Sequence, residues 1–255
     1  VEEKIAKKQC SLTAQEAKNC MTGNLCRCTG YQPIIDAALA MDIEKAETVK
    51  KRFYPDHQKD ALAEDFKTGV ALESDDFSYA APKTIKEALD YLKANPDAQI
   101  IGAATDLGVV HNKRKITLTK LLSLHLIPEL YESSIKKDVV TIGARVTLTE
   151  FRHLIKKQCP ELAEYLDIFA SPQIKNTATV VGNIANASPI GDTPPALLAL
   201  NATVIINGVK KVPLSDFFVA YRKTLDFIAP ILYDCIKLLM NGEPPPEDFN
   251  GGLLI

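Results

Sequence analysis

The sequence predicts a mixed α+β protein in which a short helical segment precedes a larger domain of helices and short strands. Two observations lead to this prediction. Capping boxes, a Thr followed three residues later by Glu, open amphipathic stretches at Thr13, Thr84 and Thr147. Short apolar runs bounded by turn residues lie between these stretches, and Asn207-Gly208 separates two such runs as the strongest hairpin signal in the chain.

The elements follow in chain order. The first helix runs from Thr13 towards Met21, and a second opens at Pro33, because Pro is tolerated in a first helical turn. The stretch 45–76 is charged and lacks clear periodicity, so it is predicted to be a linker. Further on, the pattern predicts helices after Thr84 and Thr147, strands at 99–102, 116–124 and 139–143, and a hairpin over 203–212. The predicted domains are 1–44 and 77–224, followed by an unassigned tail at 225–255.

Composition narrows the class of protein. With 255 residues, of which 46% are hydrophobic and 24% charged, the chain can bury more than one core. A net charge of -2 gives no basic field for nucleic acid. No apolar run reaches transmembrane length, the charged start does not resemble a signal peptide, and the six cysteines form no disulfide framework. A cytoplasmic protein without nucleic-acid or membrane partners is expected.

Cys26 and Cys28 place two thiols on one short loop, ahead of Gly30 and the helix that opens at Pro33. Thiolate sulfur is the usual ligand of 2Fe-2S clusters, and four are needed, so this C-x-C pair supplies half of a ligand set. The alternative interpretation is an ordinary reduced pair or a redox-labile pair.

The other cysteines and the histidines are not predicted to bind metal. Cys10 and Cys20 lie outside any paired motif, and Cys159 and Cys235 are predicted to be buried structural thiols. The histidines show no metal-ligand spacing: His57, His111, His125 and His153.

Two loops rich in small residues lie at 101–108 and 177–192. Gly, Ala, Ser and Thr let backbone N–H groups approach an anion closely, which suits a diphosphate held with few positive charges. Neither loop reads G-x-G-x-x-G, so a Rossmann site is not indicated. Taken alone, such loops are more often tight turns than cofactor sites.

Residues 12–41, with C-R-C-T-G-Y-Q-P at 26–33, resemble the end of the all-helical 2Fe-2S domain of molybdenum hydroxylases, the xanthine dehydrogenase and aldehyde oxidase family. In that family a C-G-x-C pair roughly thirty residues earlier completes the four thiolates. The resemblance implies that Cys26 and Cys28 are cluster ligands. Since the sequence starts at Val1, too late to hold the earlier pair, a fragment is expected.

Residues 77–224 resemble the FAD domain that follows in the same enzymes. The first loop stands where the family commonly reads A-G-G-T-D-L, and the second where it reads A-T-x-G-G-N-I-A-N-A-S-P-I-x-D. V-P-L-S-D-F-F at 212–218 and Y-R-K-T at 221–224 match as well. Three positions at which the family has glycine carry a side chain here: Ala103, Ala104 and Val181. The backbone at these positions is expected to need positive φ or a close approach.

The resemblance implies a role for each loop. The first loop would wrap the diphosphate and ribityl chain of FAD with Ile101, Gly102, Ala103, Ala104, Thr105, Asp106, Leu107 and Gly108. The second diphosphate turn would comprise Thr179, Val180, Val181, Gly182 and Asn183. Phe169 would lie against the isoalloxazine ring, Asp192 would bond a polar group of the cofactor, and Ser188 belongs to the same predicted site. No residue is assigned a catalytic role.

The function that the resemblance implies is electron transfer. Electrons would pass from a molybdopterin-binding large subunit through 2Fe-2S to FAD, and then to NAD or another acceptor, so the chain would be an oxidoreductase component that is not competent alone. Two alternatives stay open at this point. One is a non-catalytic degenerate or docking module without a complete cluster, and the other is a flavoprotein that binds FAD only.

Overall fold

The computed structural model describes residues 12–28, 30–47, 53, 64, 67–137, 139–206, 210–225 and 238–239. The chain divides into two compact units. The first comprises Val1–Lys67 with Ser171–Gln173, and the second comprises Thr68–Ala170 with Ile174–Ile255. The observed order, a helical segment followed by a mixed α+β domain, is the predicted fold class.

The first unit contains helices α1 (Ala14–Met21) and α2 (Gln32–Leu39). The predicted capping box is present, because the Thr13 hydroxyl accepts from the Glu16 N–H (3.2 Å) and the Glu16 carboxylate accepts from the Thr13 N–H (2.9 Å). Helix α2 has Pro in its first turn, as predicted. The two helices share a small apolar core of Ala17, Ile35 and Ala38.

A four-stranded sheet begins the second unit. Its strands are β1 (Val70–Glu73), β2 (Ser78–Ala81), β3 (Gln99–Ile101) and β4 (Lys120–Ser123), in the order β1-β2-β4-β3. Strands β2, β4 and β3 are parallel and β1 is antiparallel to β2. Helix α3 (Ile85–Ala94), opened by the predicted capping box at Thr84, connects β2 to β3 and buries Ala88 and Leu92. The carboxyl ends of three parallel strands therefore lie along one sheet edge.

The rest of the second unit forms a larger helical and antiparallel layer. Its helices are α4 (Leu107–Asn112), α5 (Leu148–Ile155), α6 (Pro160–Ile168), α7 (Pro172–Lys175), α8 (Val180–Ala185), α9 (Thr193–Ala199) and α10 (Leu214–Phe217). Its strands are β5 (Ser133–Lys136), β6 (Val139–Ile142), β7 (Thr203–Ile206), β8 (Lys210–Pro213), β9 (Phe218–Ala220), β10 (Lys223–Thr224) and β11 (Leu238–Leu239). A 3-10 turn spans Pro128–Tyr131. Antiparallel pairing joins β5 to β6, β6 to β11, β7 to β8 and β9 to β10.

Two apolar cores stabilise the second unit. One lies between α3 and the parallel sheet and includes Leu122 and Ala144. The other is larger and is centred on α5, where Phe151 and Ile155 are buried, as their spacing predicts. Val181 packs against both cores. The second small-residue loop is therefore anchored where the two cores meet.

Three predicted elements differ from the structure. Strand β1 lies inside the predicted linker 45–76. All four of its residues are exposed, so the sequence shows no alternation of apolar and polar residues that would predict a strand there. The predicted strand 116–124 is shorter, at Lys120–Ser123. The tail 225–255 contributes strand β11, whose partner β6 lies about a hundred residues earlier, too far for a local pattern to indicate.

Some predictions lie outside the described residues. These are the Asn207-Gly208 turn, Cys10, Cys235, His57 and most of the tail. The strands that flank the turn pair in the predicted hairpin, with Ile206 opposite Lys210. Within the described residues, every helix is too short or too polar to cross a bilayer.

Candidate functional site

The C-x-C pair lies on the loop between α1 and α2. Cys26 is half-buried and Cys28 is exposed. The Cys26 N–H donates to the Tyr31 hydroxyl (3.2 Å), and Gly30 and Tyr31 both have positive φ, at 67° and 69°. The turn is thus held by a side-chain hydrogen bond and by left-handed backbone.

The described residues do not complete a cluster site around this pair. No group of three or more His, Cys, Asp or Glu within them could hold a metal ion. Cys20, on α1, is exposed, and Cys159 packs half-buried against the larger core of the second unit. Two thiolates on one loop remain half of a four-thiolate set.

The first small-residue loop connects β3 to α4 at the carboxyl edge of the parallel sheet. Its start is tied to the neighbouring strand, since the Leu124 N–H donates to the Ile101 carbonyl (3.3 Å). Ala104 has φ +59°, in the left-handed region, and its carbonyl accepts from the Gly108 N–H (2.8 Å). The expectation of positive φ is thus met at Ala104, whereas Ala103 has no positive φ.

The second loop contains a helix rather than a turn. Thr179 begins α8, and its hydroxyl accepts from the Gly182 N–H (3.0 Å), so residues 180–183 form the first helical turn. Positive φ or a close approach was expected at Val181, and the first of these is wrong, because neither Val181 nor Gly182 has positive φ. A Cβ at Gly182 would lie only 2.9 Å from Thr179 Oγ1, so a close approach does require glycine there.

Hydrogen bonds fix the end of the second loop to the helix that follows. The buried Thr193 hydroxyl donates to Asn183 Oδ1 (2.5 Å), and the Tyr165 hydroxyl donates to the Asp192 carbonyl (2.7 Å). Burial raises the pKa of Tyr165, and the negative charge of Asp192 raises it further. The Asp192 side chain is exposed at the start of α9. Phe169 is half-buried with its ring centroid 5.9 Å from that of Tyr165.

One segment, 143–148, joins the two loops. Arg145 Nη1 lies 3.7 Å from the position that a Cβ on Gly102 would take. Three residues later, the Leu148 N–H donates to the Ala178 carbonyl (2.9 Å), and Thr147 forms a β-bridge with Thr179. Two loops separated by about seventy residues therefore adjoin one backbone segment, as a single binding site for both would require.

Three positively charged or titratable side chains near the sheet edge were not predicted as site residues. Lys83 follows β2, His125 follows β4, and Arg145 follows β6. Ser123 Oγ lies 2.8 Å from His125 Nδ1. Partial burial lowers the pKa of His125, and the charges of Arg145 and Lys83 lower it further. Lys83 and His125 could have been predicted from the sequence, because both follow parallel strands, whose carboxyl ends meet at one edge of the sheet.

Comparison with known families gives two matches. Residues 75–232 match the family described as the FAD binding domain in molybdopterin dehydrogenase. Residues 2–39 match the [2Fe-2S] binding domain family.

Similar proteins agree with these matches. The chain is 27% identical to a xanthine dehydrogenase of Oryza sativa over 83% of its own length and 20% of the relative's. It is 26% identical to the xanthine dehydrogenase/oxidase of Rattus norvegicus over 84% and 20%. The chain thus spans about a fifth of the length of these curated relatives.

Solved structures with the same fold include quinoline 2-oxidoreductase from Pseudomonas putida 86, with TM-score 0.61 and 26% identity, covering 67% of this chain and 61% of that chain. The carbon monoxide dehydrogenase of Hydrogenophaga pseudoflava gives TM-score 0.60 and 26% identity, covering 66% and 60%. About two thirds of this chain therefore has a fold that is also found in known oxidoreductases.

Proposed function

The chain belongs to the family of FAD binding domains in molybdopterin dehydrogenases, and from this premise we propose that it is the electron-transfer component of a xanthine-dehydrogenase-like molybdenum hydroxylase. In this proposal electrons reach the chain from a molybdopterin-bearing large subunit and leave it for NAD or another acceptor, in the cytoplasm. The observation that carries the flavin part is the convergence of the two small-residue loops on segment 143–148.

The residues at the loops fit a flavin dinucleotide. A Cβ on Gly102 would lie 3.7 Å from Arg145 Nη1, a buried nitrogen without a hydrogen-bond partner, so the first loop passes close to this cation. An anionic diphosphate supplies the acceptors that such a nitrogen lacks, and left-handed backbone at Ala104 turns the first loop at the same edge. When bound, FAD would supply the exchange between one-electron and two-electron carriers. The contribution of the protein is to position the cofactor and to set its electrostatic surroundings.

The roles of individual loop residues are part of the proposal. We assign the diphosphate and ribityl contacts to 101–108 and to 179–183, with Asp192 and Ser188 at the rim of the site. Asp192 is exposed, so its carboxylate is available to a polar group of the cofactor. Phe169 is assigned to the isoalloxazine, which its half-buried ring next to Tyr165 could contact by stacking.

The first unit contributes the iron–sulfur part of the proposal. Its match to the [2Fe-2S] binding domain family supports Cys26 and Cys28 as ligands. The described residues offer no third ligand, so a cluster at Cys26 and Cys28 would need two thiolates from outside them. The two alternatives, a flavoprotein that binds FAD only and a docking module that binds neither cofactor, differ from the proposal in cofactor content.

Cofactor analysis of the purified 255-residue chain tests the proposal. We expect it to bind FAD, identified by chromatography after denaturation, because two separate loops imply a diphosphate. Recovery of FMN alone would contradict the two-loop assignment. Failure to bind any flavin, with a cooperative melting transition that confirms folding, would favour the docking module.

A further inference from the structure

Arg145 carries a buried nitrogen whose charge the fold does not balance. Nη1 of Arg145 is buried without a hydrogen-bond partner. Arg152 offers a comparison, because its Nε also lacks a hydrogen bond but lies 2.5 Å from Asp167 Oδ1, which neutralises it. Within the described part of the chain, Arg145 forms no such ion pair. A buried cationic nitrogen without an anion or an acceptor destabilises the fold. A bound ligand that accepts a hydrogen bond from Arg145 Nη1 would remove this cost.

The rest of the Arg145 side chain is held in place. Its Nε donates to the Tyr131 hydroxyl (3.3 Å), and its guanidinium carbon lies 5.4 Å from the centroid of the Tyr131 ring. The Tyr131 hydroxyl in turn donates to the His125 carbonyl (2.9 Å). The Arg145 N–H donates to the Leu130 carbonyl (2.7 Å). These contacts fix the guanidinium and leave Nη1 next to the first loop, 3.7 Å from the position that a Cβ on Gly102 would take.

The electrostatics of this edge favour an anion. Arg145 and Lys83 are both close enough to His125 to lower its pKa by their positive charge. The edge also lies at the carboxyl ends of parallel strands, where ligands of open α/β sheets bind. A guanidinium presents its N–H donors in a planar fork that matches phosphate oxygens.

We infer that Arg145 binds the diphosphate of FAD through Nη1, next to the first loop at Gly102. This inference rests on the proposed function and deepens it. Arg145 adds a positive charge to a site that is otherwise built from backbone amides and hydroxyls. The two small-residue loops then shape the site, and Arg145 neutralises the ligand.

The test compares FAD binding by the full chain and by three variants. Arg145→Met removes the charge, Arg145→Lys keeps a charge without the fork, and Lys136→Met removes an exposed positive charge from β5 of the same unit as a control. FAD titration followed by flavin fluorescence should show about 10- to 100-fold weaker binding for Arg145→Met. Arg145→Lys should lose less, and Lys136→Met should stay within about two-fold of the wild type.

Salt dependence separates a diphosphate contact from a structural role. Raising the ionic strength should weaken FAD binding to the wild type more than to Arg145→Met, because only the wild type makes this charged contact. Equal FAD affinity of wild type and Arg145→Met overturns the inference alone. A structural role for Arg145 would give a different result: Arg145→Met and Arg145→Lys would lose FAD affinity equally, melt at lower temperatures and keep the salt dependence of the wild type. That result would also overturn the inference. A folded wild type that binds no FAD overturns the proposed function and the inference together.

Discussion

The C-x-C loop of the first unit and the two-loop region of the second unit differ in how much of a site each assembles. The C-x-C loop brings two thiols from one tripeptide, and no third ligand joins them within the described residues. The two-loop region draws on distant segments: Arg145 Nη1 lies next to Gly102, and a β-bridge joins Thr147 to Thr179. A motif that is local in sequence can thus be obvious and still incomplete, whereas the parts of a dispersed site come together only in the fold.

The largest expected effect concerns the iron content of the C-x-C loop. We expect the 255-residue chain to hold little or no 2Fe-2S cluster after anaerobic reconstitution with iron and sulfide, because Cys26 and Cys28 supply only two of four thiolates. Iron and labile-sulfide assays measure the content. Near two irons per chain, lost in Cys26→Ser, would mean that cysteines such as Cys10 or Cys20 complete the ligand set.

The second prediction concerns the hydrogen bond that closes the second loop. Thr193→Val removes the buried hydroxyl that donates to Asn183 Oδ1, so the free energy of unfolding should fall by about 1–3 kcal/mol. FAD affinity should fall as well, since only the longer bond from the backbone N–H of residue 193 to Asn183 Oδ1 (3.4 Å) then connects the loop to α9. Urea denaturation and FAD titration measure the two effects.

Thr149→Val is the matched control for that prediction. The Thr149 hydroxyl also donates to an Asn Oδ1, that of Asn176 (2.6 Å), but the bond is exposed and lies outside both loops. Its loss should cost under about 1 kcal/mol and leave FAD binding unchanged. Equal effects of the two variants on FAD affinity would show that the bond within the loop has no special part in the site.

The third prediction compares two helical glycines of the loops. Gly182→Ala places a Cβ 2.9 Å from Thr179 Oγ1 and disturbs the cap of α8, whereas Gly108→Ala in α4 meets no atom within 4 Å. Both variants gain the same helix propensity, so Gly182→Ala should be less stable than Gly108→Ala by about 1–2 kcal/mol. Thermal melting measures the difference. Indistinguishable melting temperatures would mean that Thr179 moves aside without loss of its hydrogen bond.

The smallest effect distinguishes two neighbouring alanines of the first loop. Ala104 has φ +59°, so Ala104→Gly should relieve strain and raise the free energy of unfolding by about 0.5–1 kcal/mol. Ala103 has no positive φ, so Ala103→Gly should give no gain and a small loss through added freedom in the unfolded chain. Chemical denaturation of both variants decides the matter, and stabilisation by Ala103→Gly would contradict the assigned backbone conformations.

Sequence reasoning succeeded where the forces are local. The capping boxes at Thr13, Thr84 and Thr147 each began a helix as predicted, because the hydrogen bonds involved span only three residues. It failed at β1, whose exposed residues carry no periodicity, and at β11, whose pairing with β6 spans about a hundred residues. The diphosphate turn predicted at 179–183 coincides with the start of α8, and its part in cofactor binding stays a prediction.

Residue types that lie close together in the chain were enough to predict the fold class, the C-x-C pair and the two small-residue loops. Only the tertiary structure brought Arg145 beside Gly102 and joined Thr147 to Thr179. It alone also decided that Ala104, and not Ala103, takes the left-handed conformation. These features depend on strand order and on packing between distant segments. Strand order and packing set the backbone conformation of the first loop and the residues that surround the Arg145 guanidinium.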